Sequence, residues 1–316
     1  MNKTEYNEAH KLYVAALPSS KKSAHTVKSY DLALRKFGEY LNSVEQNGDI
    51  LPINVVGFRT ALYNTGIKSN TVKQYLINLH AFFEWAIRMK KIKENPVQLE
   101  EIPKQELITY DLLSLPQIQA ALTVTPKGIF SKTACRNRAI IVLLLQSGVR
   151  NAELRSLKPS DLDFERCTIT VSHGKGDKRR EVAFPALSRQ LVKEYIESGV
   201  RPAHLTDDDW LFGTDADERG HSTNGRVWHR FSSNGLLSMA RRYIARCTGK
   251  ENGVKVHSLR HAATALWDDL GVPIRTVQQA LGHASVSLTE KTYTYVLRKE
   301  KNAELINNVL DGALGV

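Results

Sequence analysis

Apolar residues recur at helical spacing through most of the chain. From Thr26 to Leu41 they fall at Val27, Tyr30, Leu34, Phe37 and Leu41, one stripe of an amphipathic helix. Pro52 opens a second segment that continues through Phe58 and Leu62. A longer helix is predicted over Thr71 to Lys90, with Val72, Tyr75, Leu76, Leu79, Phe82, Phe83 and Ala86 on its inner side. Its aromatics read as core. Asn95-Pro96 stops the run, because proline lacks an amide donor and restricts the residue before it. Ser114-Leu115-Pro116 marks a new helix start with proline just inside. Helices are then predicted over 116–123, 133–147, 186–197, 224–247, 258–270, 273–281 and 298–310. The longest apolar run, Ala139 to Leu145, suits a buried helix and is far too short to span a membrane.

The period changes in one place. Cys167 to Val171 is β-branched and alternating, and Glu181-Val182-Ala183-Phe184 matches it across Gly174-Lys175-Gly176-Asp177. This predicts a β-hairpin with a glycine-assisted turn. The fold class is therefore mainly α with a small β-sheet. Residues 97–113 have no clear period and carry Pro103, Glu100, Glu101 and Glu106. They divide the chain into a helical domain over 1–105, a linker over 106–112 and a second domain over 113–316 that ends in a tail helix. A length of 316 residues suits two domains, each large enough to bury its own core.

Composition adds a partner and removes several chemistries. The net charge of +11 points to a polyanion, and nucleic acid is the commonest. Basic residues alternate with apolar ones, as in Arg35-Lys36-Phe37, Arg88-Met89-Lys90-Lys91 and Arg241-Arg242-Tyr243, so the charge lies on folded helices and not in a tail. Cys135, Cys167 and Cys247 are scattered, with no CxxC spacing, which predicts neither a disulfide framework nor a zinc site. Without a leader-like start or a transmembrane run, the expected location is cytoplasmic, with no membrane partner.

The candidate chemistry is concentrated late in the chain. His257-Ser258-Leu259-Arg260-His261 is followed by Leu281-Gly282-His283 and then by Tyr293 and Tyr295. Arg150, in Gly148-Val149-Arg150-Asn151-Ala152-Glu153-Leu154, and Lys175, between two glycines, complete the set. Each of these residues is ordinary alone: a surface arginine, a solvated hairpin lysine, a structural histidine, a core tyrosine. As a group they suit attack on a phosphodiester. That reaction needs a nucleophile, neutralisation of the phosphorane's charge and a proton for the leaving oxygen. Arginine does the second job well, because its fork binds two phosphate oxygens and stays charged. Glu153, three residues after Arg150, can brace it. His257 and Arg260, also three apart, share a helix face, while His261 turns towards the packing side. A lysine among cations has a lowered pKa and can donate a proton. A free tyrosine has a pKa of about 10, so it needs nearby cations or a neutral histidine to become a nucleophile.

In order and spacing these motifs resemble the tyrosine recombinases, the phage-integrase and Xer-like family. The N-terminal helices, from Thr26-Val27-Lys28-Ser29-Tyr30 and Asn70-Thr71-Val72 through Phe83-Glu84-Trp85-Ala86 to Asn95-Pro96, are similar to its core-binding, SAM-like domain. The resemblance implies a two-domain clamp on double-stranded DNA that carries specific recombination sites. It implies that Arg150 and Arg260 hold the non-bridging oxygens, Lys175 protonates the 5′-hydroxyl, His257 assists proton transfer, His283 binds the phosphate and Glu153 supports the arrangement. Tyr293 would form a 3′-phosphotyrosyl link that conserves bond energy, so that no ATP, cofactor or metal is required. Exchange would pass through a Holliday junction in a homo-tetramer on two duplexes, with accessory DNA-bending or directionality proteins as further partners. The step from His283 to Tyr293 is one residue longer than is usual in the family, which leaves Tyr295 as the alternative nucleophile. The core-binding pattern begins near residue 7, which suggests a simple Xer-like enzyme without an arm-binding domain. Type IB topoisomerase-like relaxation and a non-catalytic DNA-binding protein are the competing readings.

Overall fold

The computed structural model describes residues 1–20, 22–44, 48–99, 102–103, 113–123, 133–172, 179–215, 227–250 and 254–282. The chain divides into two compact units, Met1–Ile108 and Thr109–Val316. The tip of the proposed hairpin with Lys175, the linker at 106–112, His283, Tyr293, Tyr295 and the tail helix at 298–310 lie outside the described residues.

The first unit is a bundle of α1 (Lys3–Ala16), α2 (Ala24–Ser43), α3 (Pro52–Asn64) and α4 (Ser69–Arg88). Helix α1, which the apolar pattern did not reveal, starts with a capping box. Asn2 Oδ1 accepts from the Glu5 amide at 3.0 Å, and Glu5 Oε2 accepts from the Asn2 amide at 2.9 Å. Its buried stripe is Tyr6, Ala9 and Tyr13. Ser23 caps α2 through the Thr26 amide. Proline occupies the first turn of α3, where its missing N–H has no intrahelical partner to lose. The core is aromatic: Tyr6 meets Phe37 edge-on at 5.5 Å and Phe82 at 5.3 Å between ring centroids. The Tyr6 hydroxyl donates to the Leu34 carbonyl at 2.7 Å, so the ring is buried without an orphaned polar atom. Helix α4 ends at Arg88, short of Asn95-Pro96. Asn95 instead folds back, donating to the His80 carbonyl and to Glu84.

The second unit is built around α6 (Ala134–Ser147), which follows α5 (Leu115–Thr123). Every residue from Ala139 to Leu145 is fully buried, because α5, α8 (Ala186–Glu197), α9 (Ser233–Thr248) and α10 (Val256–Asp269) pack around the helix. Buried Arg136 is satisfied by the Gly213 carbonyl at 2.8 Å and lies over the Phe231 ring. Gly148 ends α6 in the left-handed region at φ +61°, and a Cβ there would come within 3.0 Å of Trp267. A single turn, α7 (Asn151–Leu154), follows, and α11 (Ile274–Leu281) completes the described helices.

Strands β1 (Leu162–Asp163), β2 (Thr168–Val171) and β3 (Arg180–Ala183) form an antiparallel sheet in that order, with Ile169 opposite Val182 and Val171 opposite Arg180. A second ribbon pairs β4 (Gly213–Thr214) with β5 (His229–Arg230). This ribbon corrects the helix predicted over 224–247. Residues 229–230 are strand and α9 begins only at Ser233, where Ser232 Oγ accepts from the Gly235 amide at 2.9 Å. Val227, Trp228 and Phe231 imitate a helical stripe. Trp228 is instead drawn aside, its indole donating to the Trp210 carbonyl at 3.0 Å and covering Gly213. Among the described residues, no helix is long and apolar enough to cross a membrane.

Candidate active site

Glu153 is the centre of the site. The residue is 3% exposed and accepts four hydrogen bonds. Two come from Arg150: its backbone N–H at 2.8 Å and its Nη1 at 2.8 Å. The local fold dictates this pair, since Arg150 precedes α7 and an acid in the first turn of a helix reaches back to the amide before it. The other two come from Arg180 on β3, whose Nη1 and Nη2 meet the two carboxylate oxygens at 2.8 Å each. Sequence reasoning missed Arg180. The available signal was strand register: Arg180 lies opposite Val171 and two residues from Val182, so it occupies an inward position that otherwise takes apolar side chains.

Arg260 comes from α10 and is 3% exposed. Its Nη1 donates to the Gly148 carbonyl at 2.6 Å and its Nη2 to the Leu281 carbonyl. The left-handed turn at Gly148 aims that carbonyl into the site. At the end of α11, three successive carbonyls are held by three arginines: Ala280 by Arg180, Leu281 by Arg260 and Gly282 by Arg150 at 3.3 Å. The last turn of a helix is its negative end, so guanidiniums suit it.

His257 stands on the exposed side of α10, one turn before His261, and the two rings meet edge-on at 4.7 Å. Crowding by protein atoms, then the charges of Arg260 and Arg150, lowers the His257 pKa. A neutral imidazole beside two guanidiniums can accept a proton. The structure thus brings together Arg150, Glu153, His257 and Arg260 and adds Arg180. Lys175, His283 and Tyr293 lie outside the described residues, although Gly282 leads directly into His283.

Burial pushes the Glu153 carboxyl up, but hydrogen bonds from Arg180, then from the Arg150 backbone and side chain, hold it down at about 2. Because this value lies below the unfolded one of 4.5, the native state binds fewer protons in the interval between them. The stability Glu153 contributes is complete above about pH 4.5 and drains as pH falls towards 2, up to about 3 kcal/mol. Glu153→Gln is therefore expected to be less stable than the parent at pH 7, and the gap in urea unfolding should narrow by pH 3. A constant gap would mean that the carboxylate is not the counter-charge.

Three guanidiniums around one carboxylate leave a formal excess of two positive charges. Burial, then Arg150, disfavours the charge on Arg260; Glu153 favours it and Arg180 again opposes it. Such a cluster is stabilised by an incoming anion, and a pentavalent phosphorane carries two negative charges. The fold and the site together are those of an enzyme that works on phosphodiesters.

Known proteins agree. Residues 112–300 match the model of the phage integrase family, and residues 11–90 match its N-terminal SAM-like domain. Tyrosine recombinase XerC of Bacillus subtilis (strain 168) is 29% identical over 300 residues, covering 92% of each chain. Tyrosine recombinase XerA of Thermococcus onnurineus (strain NA1) is 29% identical over 313 residues, covering 96% of this chain and 98% of its own. Among solved structures, the XerH site-specific recombinase bound to palindromic difH substrate in a post-cleavage complex is 26% identical at a TM-score of 0.70, over 89% of this chain and 79% of that one. A lambda integrase dimer bound to a COC′ core site, 15% identical, shares the fold at a TM-score of 0.66 over 89% of this chain and 96% of that one.

The chain belongs to the phage integrase family. It is a tyrosine recombinase, an enzyme of site-specific DNA strand breakage and rejoining, and topoisomerase-like relaxation is not favoured.

Proposed function

We propose that this recombinase cleaves each strand with Tyr293 and holds the product as a 3′-phosphotyrosyl link. The carrying observation is the cluster of Arg150, Arg180 and Arg260 over Glu153, with its excess positive charge beside the residue that leads into His283. Arg150 and Arg260 neutralise the non-bridging oxygens, and His283 adds a hydrogen bond to the phosphate. His257 takes part in proton transfer at the tyrosine, and Lys175 protonates the departing 5′-hydroxyl. The phosphotyrosyl ester conserves the energy of the broken bond, so a 5′-hydroxyl from a partner duplex can attack it without ATP. Two such rounds give a Holliday junction and then recombinants, on a homo-tetramer that holds two duplexes. Both units contact DNA, chiefly through phosphates, which makes binding salt-sensitive. The enzyme works in the cytoplasm on the nucleoid, with or without accessory DNA-bending proteins. Movement of a mobile element and Xer-like resolution of chromosome dimers both fit this chemistry.

The test is strand exchange. The purified protein selects its site from a randomised duplex pool, and two fragments of different length carrying that site are mixed with it, without ATP. Recombinant-length products and a detergent-stable protein–DNA adduct are expected. Efficient relaxation of a supercoiled plasmid lacking the site, without recombinants, would favour the topoisomerase reading.

A further inference from the structure

Arg180 adds to the charge of the site, but the proposed reaction gives it no contact with DNA. It comes from β3 and not from the helices that carry Arg150 and Arg260. Its guanidinium is spent entirely on the protein: Nη1 and Nη2 on Glu153 at 2.8 Å each, and Nε on the Ala280 carbonyl at 3.2 Å. Its stem lies under Gly282, where a Cβ would come within 3.0 Å of Arg180 Cδ. Gly282 is also left-handed at φ +61°, so the position suits glycine twice over.

A second arginine is not needed merely to neutralise Glu153, since Arg150 already pairs with it at 2.8 Å. What Arg180 changes is the way Arg150 pairs. A free carboxylate would take an arginine fork-to-fork, with two parallel bonds. Here Arg180 holds that geometry, with one of its nitrogens on each oxygen. Arg150 is left a single side-chain bond, from Nη1 to Oε1, and its Nη2 turns away to the Gly282 carbonyl. Arg180 thus keeps Arg150 from collapsing onto its own counter-ion. It also bonds the strand that leads out of the Lys175 hairpin to the helix end that leads into His283. Among the described residues, its apolar footing is Val277 and Leu281, packed with Trp267 and Val272. The arginine–carbonyl bonds add to that footing.

We propose that Arg180 is a positioning residue of the recombination reaction. By occupying Glu153 and the Ala280 carbonyl together, it keeps one face of Arg150 turned outward for the scissile phosphate and fixes the point from which the chain enters His283. This rests on the recombinase site proposed above.

The test uses the full chain and a nicked suicide duplex bearing the site that the parent protein selects from a randomised pool. Three quantities are measured: the first-order rate of adduct formation at saturating DNA, the DNA concentration at half-saturation, and the active fraction from the reaction amplitude. Arg180→Gln is expected to lower the saturated rate about a hundredfold, the scale of a small misplacement of catalytic groups, with half-saturation shifted less than about threefold. Adding Glu153→Gln to that variant should restore the rate about tenfold, because a neutral amide no longer captures the Arg150 fork. Arg180→Lys keeps the charge without the fork and should fall between parent and Arg180→Gln; it replaces Arg180→Gln if that protein does not fold. A parental rate in the Arg180 variants overturns the proposal. So does a loss confined to the active fraction, which is what a purely structural ion pair would give, and so does a loss that Glu153→Gln fails to relieve. If the parent itself forms no adduct, the reading of the whole site falls, and this inference with it.

Discussion

Replacing Tyr293 with phenylalanine is expected to abolish the covalent protein–DNA adduct, a drop of at least about ten-thousandfold in cleavage rate. The substitution keeps the ring and removes only the attacking oxygen, so DNA binding should survive. A phenol at neutral pH is almost wholly protonated, and it attacks only where cations favour the phenolate or a base takes its proton. The described part of the site offers both: an excess of two positive charges among Arg150, Arg180, Arg260 and Glu153, and a histidine, His257, whose pKa is lowered by crowding and by Arg260 and Arg150. Tyr295→Phe should form the adduct at close to the parental rate. The nicked duplex described above distinguishes the two. Adduct from Tyr293→Phe and none from Tyr295→Phe would move the nucleophile by two residues and reassign the extra residue after His283.

The second large effect belongs to Arg260. Arg260→Ala is expected to reduce the saturated cleavage rate about a thousandfold, the range seen when a donor to a developing oxyanion is removed. It should also destabilise the catalytic unit, because the buried Gly148 carbonyl and the Leu281 carbonyl would both lose a charged donor. Arg260→Lys separates the two roles. An ammonium can reach one carbonyl or the phosphate, but it lacks the planar fork that serves several acceptors at once. The lysine variant should therefore recover most of the folding stability and little of the rate. Cleavage by Arg260→Ala at the parental rate would remove Arg260 from the phosphate.

Much of this was legible before the structure, and the reasons differ by element. The long stripes of α2 and α4, and the uninterrupted apolar run of α6, identify themselves because burial imposes the helical period on them. Arg150 and Glu153 were readable as a brace because three residues bring side chains together across a helical turn. Gly148 could be read as a helix end. Helix α1 escaped notice because its buried stripe is only Tyr6, Ala9 and Tyr13, set among polar residues. The β4–β5 ribbon escaped because strands of two residues have no period, and the aromatics around it have the spacing of a helix. The hairpin was found, but its second strand starts one residue earlier than the alternation suggested. That single residue is Arg180, which explains why this arginine was overlooked. The burial of Arg260 was not readable at all, since it depends on α6 and α11 meeting far along the chain.

The placement of α6 has one more consequence. Residues 139–145 are fully buried, so their amide protons are expected to exchange with solvent only when the whole catalytic unit opens. Among the described residues, helix α11 rests on a few apolar side chains and on its arginine bonds, and it is expected to open at lower cost. The two walls of the active site therefore keep different clocks. Arg150 follows directly from the end of α6, and α10, which carries Arg260, packs against it, so both share its slow clock, while the carbonyls of 280–282 belong to the faster one. Native-state hydrogen exchange is expected to show slower exchange for the amides of residues 139–145 than for those of Ile274–Leu281.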